Sequence, residues 1–282
     1  MKQHRLRLTP TEARLIYSKR KPNGNFKPEK QGIPKILVLD IETAPMVVYV
    51  WGLYKQRISP ESVKDDWFVL CYAAKWLFDS KVMSDMITPK EAIAKNDQNV
   101  INSIWLLLDK ADIVITHNGT NFDHRKLNAR FIYYGLARPS HYQIIDSLKS
   151  TRKQFAFSSH KQGYINKFLK LPQKLHTDYQ MWIDCINGNA KRLKEMLKYC
   201  KQDTRGLEEL YLTIRAWIDN HPNLPLYTDF EGDMCPNCMS TNIKKGGYYY
   251  TPIGKYETFR CECGAFGKSR KAEKRKISSK VC

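Results

Sequence analysis

The chain has 282 residues, 42% of them hydrophobic, which is enough for one sizeable core plus a smaller module. Lys and Arg number 47 against 28 Asp and Glu, a net charge of +19 that points to a polyanionic partner, most often nucleic acid, with a basic face kept for solubility or for a membrane surface as the alternatives. No apolar run approaches the roughly 18 residues a membrane-spanning helix needs, so no spanning helix is expected.

Residues 1–34 form a basic N-terminal extension. Its start, Met1 to Arg7, leads into no apolar signal core, so the cytoplasm is the expected compartment. Thr9-Pro10-Thr11-Glu12 predicts a short helix through Tyr17, with Thr9 as N-cap and Pro10 at the first position.

Residues 35–222 alternate between strand and helix signals. Strands are expected at 36–41, 46–51 and 68–77, then a helix over 97–109, a buried strand at 112–116, a helix over 123–134 and a short strand at 141–145. Helices over 147–154, 160–169, 178–187 and 190–219 follow. The last carries Leu193, Leu197, Cys200, Leu207, Tyr211, Ile214 and Ile218 as an apolar stripe, and His221-Pro222 is its expected stop. This order predicts an α/β domain with a mixed sheet covered by helices. Residues 223–267 lose helical periodicity and gain Gly, aromatic residues and cysteines. Residues 268–282 are a basic tail.

The run Ile36-Leu37-Val38-Leu39-Asp40-Ile41-Glu42-Thr43 reads as a buried strand ending in two acids. Positions two apart share a face of a strand, so Asp40 and Glu42 point the same way. Like charges that close destabilise each other, and a hard divalent cation relieves them. A solvated strand end gives the same pattern. Asp123 follows the strand 112–116 through the polar loop 117–122, at the strand end where α/β sheets place ligands. It also opens a helix, so N-capping is the competing reading. Tyr199 and Asp203 stand four apart and share a helix face; a half-buried Tyr beside a surface Asp is the bland alternative. Asp146, before Ser147, reads first as an N-cap. Asp65 and Asp66 read as solvated, and His117 and His124 as packing or surface residues.

Taken together, Asp40-Ile41-Glu42, Asn118 through Phe122-Asp123, and Tyr199-Xaa-Xaa-Xaa-Asp203 resemble the three motifs of the DEDD superfamily of 3′–5′ exonucleases. The second motif is close to its form in the proofreading domains of family B polymerases. Tyr199, with Lys198 where the histidine variant needs His, is similar to the tyrosine subclass, DEDDy. The stretches Ile145–Lys149 and Phe157–Lys161 resemble ribonuclease H-like exonucleases that stand apart from any polymerase. The resemblance covers about residues 35–220. It implies a ribonuclease H-like fold and a two-metal mechanism with two Mg²⁺ or Mn²⁺. It also implies that Asp40 bridges the ions, that Glu42 and Asp203 hold the ion bearing the attacking water, and that Asp123 holds the second. Tyr199 would orient the water, since a phenol's ordinary pKa of about 10 suits orienting better than deprotonating. Thr43, Asn118 and Asn121 are the implied nucleic-acid contacts.

Five cysteines fall in the last fifty or so residues. Cys235-Pro236-Asn237-Cys238 and Cys261-Glu262-Cys263-Gly264 flank a β-like, tyrosine-rich stretch, and this resembles a zinc ribbon holding one structural Zn²⁺. The second knuckle is CxC rather than CxxC, so Cys282 is the alternative fourth ligand. Cys71, Cys185 and Cys200 read as core thiols. Lysines and arginines interleaved with the ribbon's tyrosines suit phosphates and stacked bases; a structural knob or protein-docking surface is the other reading.

The expected function is a metal-dependent 3′–5′ exonuclease that acts on single-stranded DNA or unpaired 3′ ends and releases nucleoside 5′-monophosphates. The alternatives are a 3′–5′ exoribonuclease and a non-catalytic nucleic-acid adaptor that uses the ribbon. No polymerase motif is present, so a proofreading role would require a replication or repair partner.

Overall fold

The computed structural model describes residues 32–273, Lys174 excepted. The helix expected at 9–17, most of the basic tail and Cys282 lie outside the described residues.

The chain opens with β1 (Ile36–Thr43), β2 (Val47–Val48), β3 (Val63–Asp65), β4 (Val69–Trp76) and β5 (Met83–Met86), then α1 (Pro89–Ile93), α2 (Gln98–Leu108) and β6 (Ile113–Thr116). It continues through α3 (Asp123–Tyr133), β7 (Gln143–Asp146), α4 (Ser147–Gln154), α5 (Gln162–Phe168), α6 (Tyr179–Ile186) and the long α7 (Ala190–Ile214). A C-terminal sheet of β8 (Ile243–Thr251), β9 (Gly254–Cys261) and β10 (Phe266–Lys268) follows.

The main sheet is mixed, in the order β5-β4-β1-β6-β7. β1 lies at its centre, antiparallel to β4 and parallel to β6. Central strands with both faces covered need apolar side chains throughout. Accordingly β4 is buried from Val69 to Lys75, and Leu37, Val38 and Leu39 of β1 are fully buried. Leu37, Leu39 and Ile41 join one core layer with α2 and α6, while Ile36 and Val38 join the other with Leu207 and Tyr211 of α7. The fold class expected from the sequence, a mixed sheet flanked by helices, is the one observed.

Two expected elements differ. The strand expected at 46–51 shrinks to Val47–Val48 paired with β3, and Val50 and Trp51 are exposed; with no apolar layer over them, β-branched propensity alone does not hold an extended pair. The helix expected to reach residue 219 ends at Ile214, and Arg215–Trp217 tightens into a single 3-10 turn before His221-Pro222 is reached. The sequence reading missed β5 and also α1, although Thr88 and Glu91 form a complete capping box there. No described helix is long and apolar enough to cross a membrane.

Lys75 and Glu208 form a buried ion pair between β4 and α7, and Glu208 also accepts from the Phe78 amide at 3.0 Å. Asp97, fully buried, pairs with Arg130 and accepts from the Val69 amide at 2.7 Å and the Tyr134 hydroxyl at 2.6 Å. These paired groups register α7 and α3 against the sheet.

Candidate active site and cysteine cluster

Asp40 and Glu42 continue the face of β1 that carries Ile36 and Val38, as the period of two requires. The ladder with β6 stops at Val38↔Ile115, so the end of β1 runs on beyond its parallel neighbour. A register shift against β4 falls between Glu42 and Thr43 and ends the strand there. α7 crosses this end and delivers Asp203, only 2% exposed. Carboxylate oxygens of Asp40, Glu42 and Asp203 all lie within 4.8 Å of one another. On Mg²⁺, with bonds of about 2.0–2.1 Å, adjacent oxygens stand about 3 Å apart and opposed ones about 4 Å, so three acids gathered this closely form a group able to hold a hard divalent ion such as Mg²⁺ or Mn²⁺. The bland reading of Asp203 as a surface acid is corrected: the helix face it occupies is buried against the sheet.

The seating of Asp203 depends on residues the sequence reading did not single out. Gln162 of α5 donates to the Asp203 carbonyl at 2.9 Å. Asn166, one turn on and fully buried, donates to the Gly206 carbonyl at 3.2 Å. A Cβ on Gly206 would meet the Asn166 amide nitrogen at 2.7 Å, so this close approach needs glycine. Thr204 donates to the Ala73 carbonyl of β4, or back to that of Cys200. The signal for this network was faint: two polar residues four apart on the inward face of a short helix.

Asp123 sits at the first position of α3, and the N-cap is Phe122, which corrects the capping reading. Its carboxylate accepts from the Ile41 amide, left over where β1 outruns β6. Burial first, and then the Asp40 charge, push the Asp123 carboxyl well above the usual carboxylate range. Asp123 thus stands beside the group of three acids but outside it. Its loop is held from beneath. Asp146 caps α4 through the Leu148 and Lys149 amides, as expected, and also accepts from the Asn118 amide at 2.9 Å and the Thr120 amide at 3.1 Å. Asn118 adopts the left-handed region at φ 74°. A Cβ at Gly119 would fall 2.1 Å from the Thr116 hydroxyl, so the loop passes too close for any other residue. Asn121 is exposed at its rim.

His117 is tied to Ser147 at 2.8 Å and to the His160 carbonyl at 2.9 Å, and His124 is buried against Tyr142; both pack, as expected. Asp65, expected to be solvated, pairs instead with Lys95.

Tyr199 lies one turn before Asp203 and packs edge-on against Trp182, with centroids 6.3 Å apart. It lines a cavity of 260 Å³ with His176, Arg192 and Lys198. A separate 410 Å³ groove is lined by Thr43, Ala44, Trp67, Lys126, Tyr179 and Trp182. Lys126 stacks over the Trp67 ring at 3.7 Å. An aromatic, cationic groove therefore opens directly after Glu42.

In the C-terminal module both cysteine pairs sit in tight turns. Met239 N–H donates to the Cys235 carbonyl at 2.9 Å, and Gly264 N–H to that of Cys261 at 3.0 Å with Gly264 at φ 87°. The four sulfurs of Cys235, Cys238, Cys261 and Cys263 lie within 4.8 Å of one another, with Cys235–Cys263 at 3.7 Å and Cys238–Cys261 at 3.5 Å. Tetrahedral Zn–S bonds of 2.3 Å require S···S separations of about 3.8 Å, so the set fits zinc. Burial pushes the Cys235 thiol up to about 11, so a metal must displace protons to bind. Cys71, Cys185 and Cys200 are core thiols as expected, and Cys200 additionally contacts Asp40.

A family model described as the RNase H superfamily (RNase_H_2) matches residues 77–215, a span that includes Asp123, Tyr199 and Asp203 and begins after β1. Among solved structures, a family B DNA polymerase from the hyperthermophilic archaeon Pyrobaculum calidifontis is similar at 15% identity and a TM-score of 0.46, over 65% of this chain. The match spans 25% of that polymerase. No curated protein matches the chain. The fold is ribonuclease H-like.

Proposed function

We propose that the protein is a metal-dependent 3′–5′ exonuclease of the DEDDy type that shortens single-stranded DNA from its 3′ end. The observation that carries this reading is the convergence of Asp40, Glu42 and Asp203 within 4.8 Å, with buried Asp123 alongside. The RNase H-superfamily match supports a nuclease-type function.

Asp40 would hold both ions, Glu42 and Asp203 one of them, and Asp123 the other. Bound there, two divalent ions supply an activated water and neutralise the charge that develops on the leaving 3′ oxygen. Tyr199, fixed by Trp182, orients the water for in-line attack. The groove after Glu42 takes the terminal nucleoside: Thr43 lines it, and Trp67, Tyr179 and Trp182 offer stacking surface worth about 1–3 kcal/mol per base. Asn118 and Asn121 rim the Asp123 loop, where the scissile end would lie. Cys235, Cys238, Cys261 and Cys263 would hold one structural Zn²⁺.

The test is incubation of 3′- and 5′-labelled single-stranded DNA, duplex DNA and RNA with Mg²⁺ or Mn²⁺, using the protein and Asp40→Ala. Stepwise shortening from the 3′ end, abolished in the variant, is the expected result. Faster shortening of RNA would make the protein an exoribonuclease. Binding without metal-dependent cleavage of any substrate would leave only an adaptor.

A further inference from the structure

The two faces of the C-terminal sheet differ in charge. The register pairs Tyr248 with Glu257, Tyr249 with Tyr256 and Lys245 with Phe259 across β8 and β9, and Phe266 with Arg260 and Lys268 with Thr258 across β9 and β10. Cross-strand partners share a face and neighbours along a strand alternate. One face therefore carries Tyr248, Tyr250, Lys245, Lys255 and Glu257. Its cations are neutralised within the module: Lys245 pairs with Glu257 at 2.9 Å and Lys255 with Glu273 at 3.3 Å.

The other face carries Lys244, Tyr249, Tyr256, Arg260, Phe266 and Lys268, and no strand residue on it is acidic. Glu257, adjacent to Tyr256, points to the opposite face, and Glu262, two residues after Arg260, lies beyond the end of β9 and is bound by Ser240 and Asn242. The cations are held over rings: Lys268 lies 4.1 Å from the Tyr249 centroid and 5.2 Å from that of Tyr256, and Arg260 lies 5.3 Å from that of Phe266. Tyr249 and Phe266 remain 42% and 52% exposed. Among the described residues no acid pairs with these cations, and cations presented in this way together with exposed rings suit a flexible polyanion with aromatic bases.

The module is anchored away from the carboxylates. Asn237 donates to the Arg215 carbonyl at 3.0 Å, and the Leu224 amide donates to the Pro236 carbonyl at 2.9 Å. Arg215 lies twelve residues beyond Asp203 along α7 and its terminal turn, which is about 18 Å at 1.5 Å per residue.

We infer that the acid-free face of the C-terminal sheet binds the body of a single-stranded nucleic acid, while the opposite, neutralised face does not. The inference rests on the nucleic-acid substrate of the proposed nuclease, but not on its chemistry. Long strands would reach this face, and strands of two or three nucleotides held at the carboxylates would not.

The test measures binding of a fluorescent long single strand and of a trinucleotide to the full chain carrying Asp40→Ala, so that cleavage does not interfere. Tyr249→Leu and Phe266→Leu should each weaken long-strand binding roughly tenfold. Tyr248→Leu and Tyr250→Leu should leave it unchanged, and trinucleotide binding should not respond to any of the four. Zinc content reports whether the module remains folded. Should an aromatic variant lose zinc, the exposed lysines carry the test: Lys244→Gln and Lys268→Gln should each lower the slope of log affinity against log salt by about 0.7. Equal losses from both faces, or none from either, would overturn the inference. Absence of cleavage by the unmodified protein would sink the nuclease reading and leave this asymmetry in place.

Discussion

The Cys200 sulfur lies 3.5 Å from Oδ2 of Asp40 and 3.5 Å from the Asp40 carbonyl oxygen. Burial, reinforced by Cys71 and by the charges of Asp40 and Glu42, pushes the thiol well above its usual range, so at neutral pH it carries a proton to donate. The acid proposed to bridge two ions is thus oriented from below by a neutral donor. Partners of this kind typically influence metal affinity or activity by ten- to hundred-fold. A thiol is a weak donor, so Cys200→Ala should raise the Mg²⁺ concentration for half-maximal activity by about tenfold, and Cys200→Ser should recover part of the loss. A metal titration of activity checks both. An unchanged titration for Cys200→Ala would deny Cys200 the positioning role.

Asp146 ties two segments with one carboxylate, holding the Asn118 and Thr120 amides and capping α4. Asp146→Ala should cost at least about 3 kcal/mol, because it orphans several amides beneath the site. Urea unfolding measures that loss, and the proposed nuclease activity should fall with it as the Asp123 loop loosens. Although burial opposes ionisation, the hydrogen bonds from Thr120, Asn118 and Lys149 hold the carboxyl below its usual value of 3.8. A depressed carboxylate contributes stability in full above its unfolded pKa and loses it as pH falls through the folded one. Asp146→Ala should therefore flatten the stability profile below about pH 4.

His221 is held as a neutral ring. Its Nδ1–H donates to the Pro222 carbonyl at 2.8 Å, and its Nε2 accepts from the Tyr211 hydroxyl at 2.8 Å. Burial, with a contribution from Arg215, lowers its pKa from 6.5. Below that pH the unfolded chain takes up a proton that the folded chain refuses, so stability falls as pH drops from 6.5 toward the folded value. Thermal melts between pH 7 and 5 should show a shallower decline for His221→Phe, which keeps the ring stacked on Tyr211 and removes the titration. An identical slope in the two proteins would count against this account.

Zinc should be found at one ion per chain. Cys263→Ser should release it, because the Cys263 sulfur completes the fourfold set. Affinity should fall as pH falls, since protons compete for thiols raised by burial. A chelator should unfold β8–β10 while leaving the main sheet intact, which circular dichroism and amide exchange resolve. Full zinc content in Cys263→Ser would move the fourth ligand elsewhere in the chain.

Much of the site was legible where its chemistry is local. The period of two places Asp40 and Glu42 on one face of β1, and the helical repeat places Tyr199 above Asp203. The two cysteine turns were readable for the same reason. Boundaries were less legible wherever burial decides them. The strand expected over 46–51 survives only at Val47–Val48, where β3 pairs with it, because nothing covers Val50 and Trp51. Gln162, Asn166 and Thr204 were not legible as site residues, because their partners are backbone carbonyls that only the packing of α5 and β4 against α7 brings near.

Composition and local period alone determined a basic α/β chain with paired acids at a strand end and two cysteine turns, since covalent spacing and backbone repeat set which side chains share a face. Tertiary structure alone decided that α7 brings Asp203 to within 4.8 Å of Asp40 and Glu42, and that Asp123 rather than a neighbouring strand receives the Ile41 amide. It also decided that, among the described residues, the cations of one face of the C-terminal sheet are paired with acids while those of the other are not. These outcomes depend on long-range burial and on which polar groups are left to pair once the core closes, and neither is encoded in the spacing of any one segment.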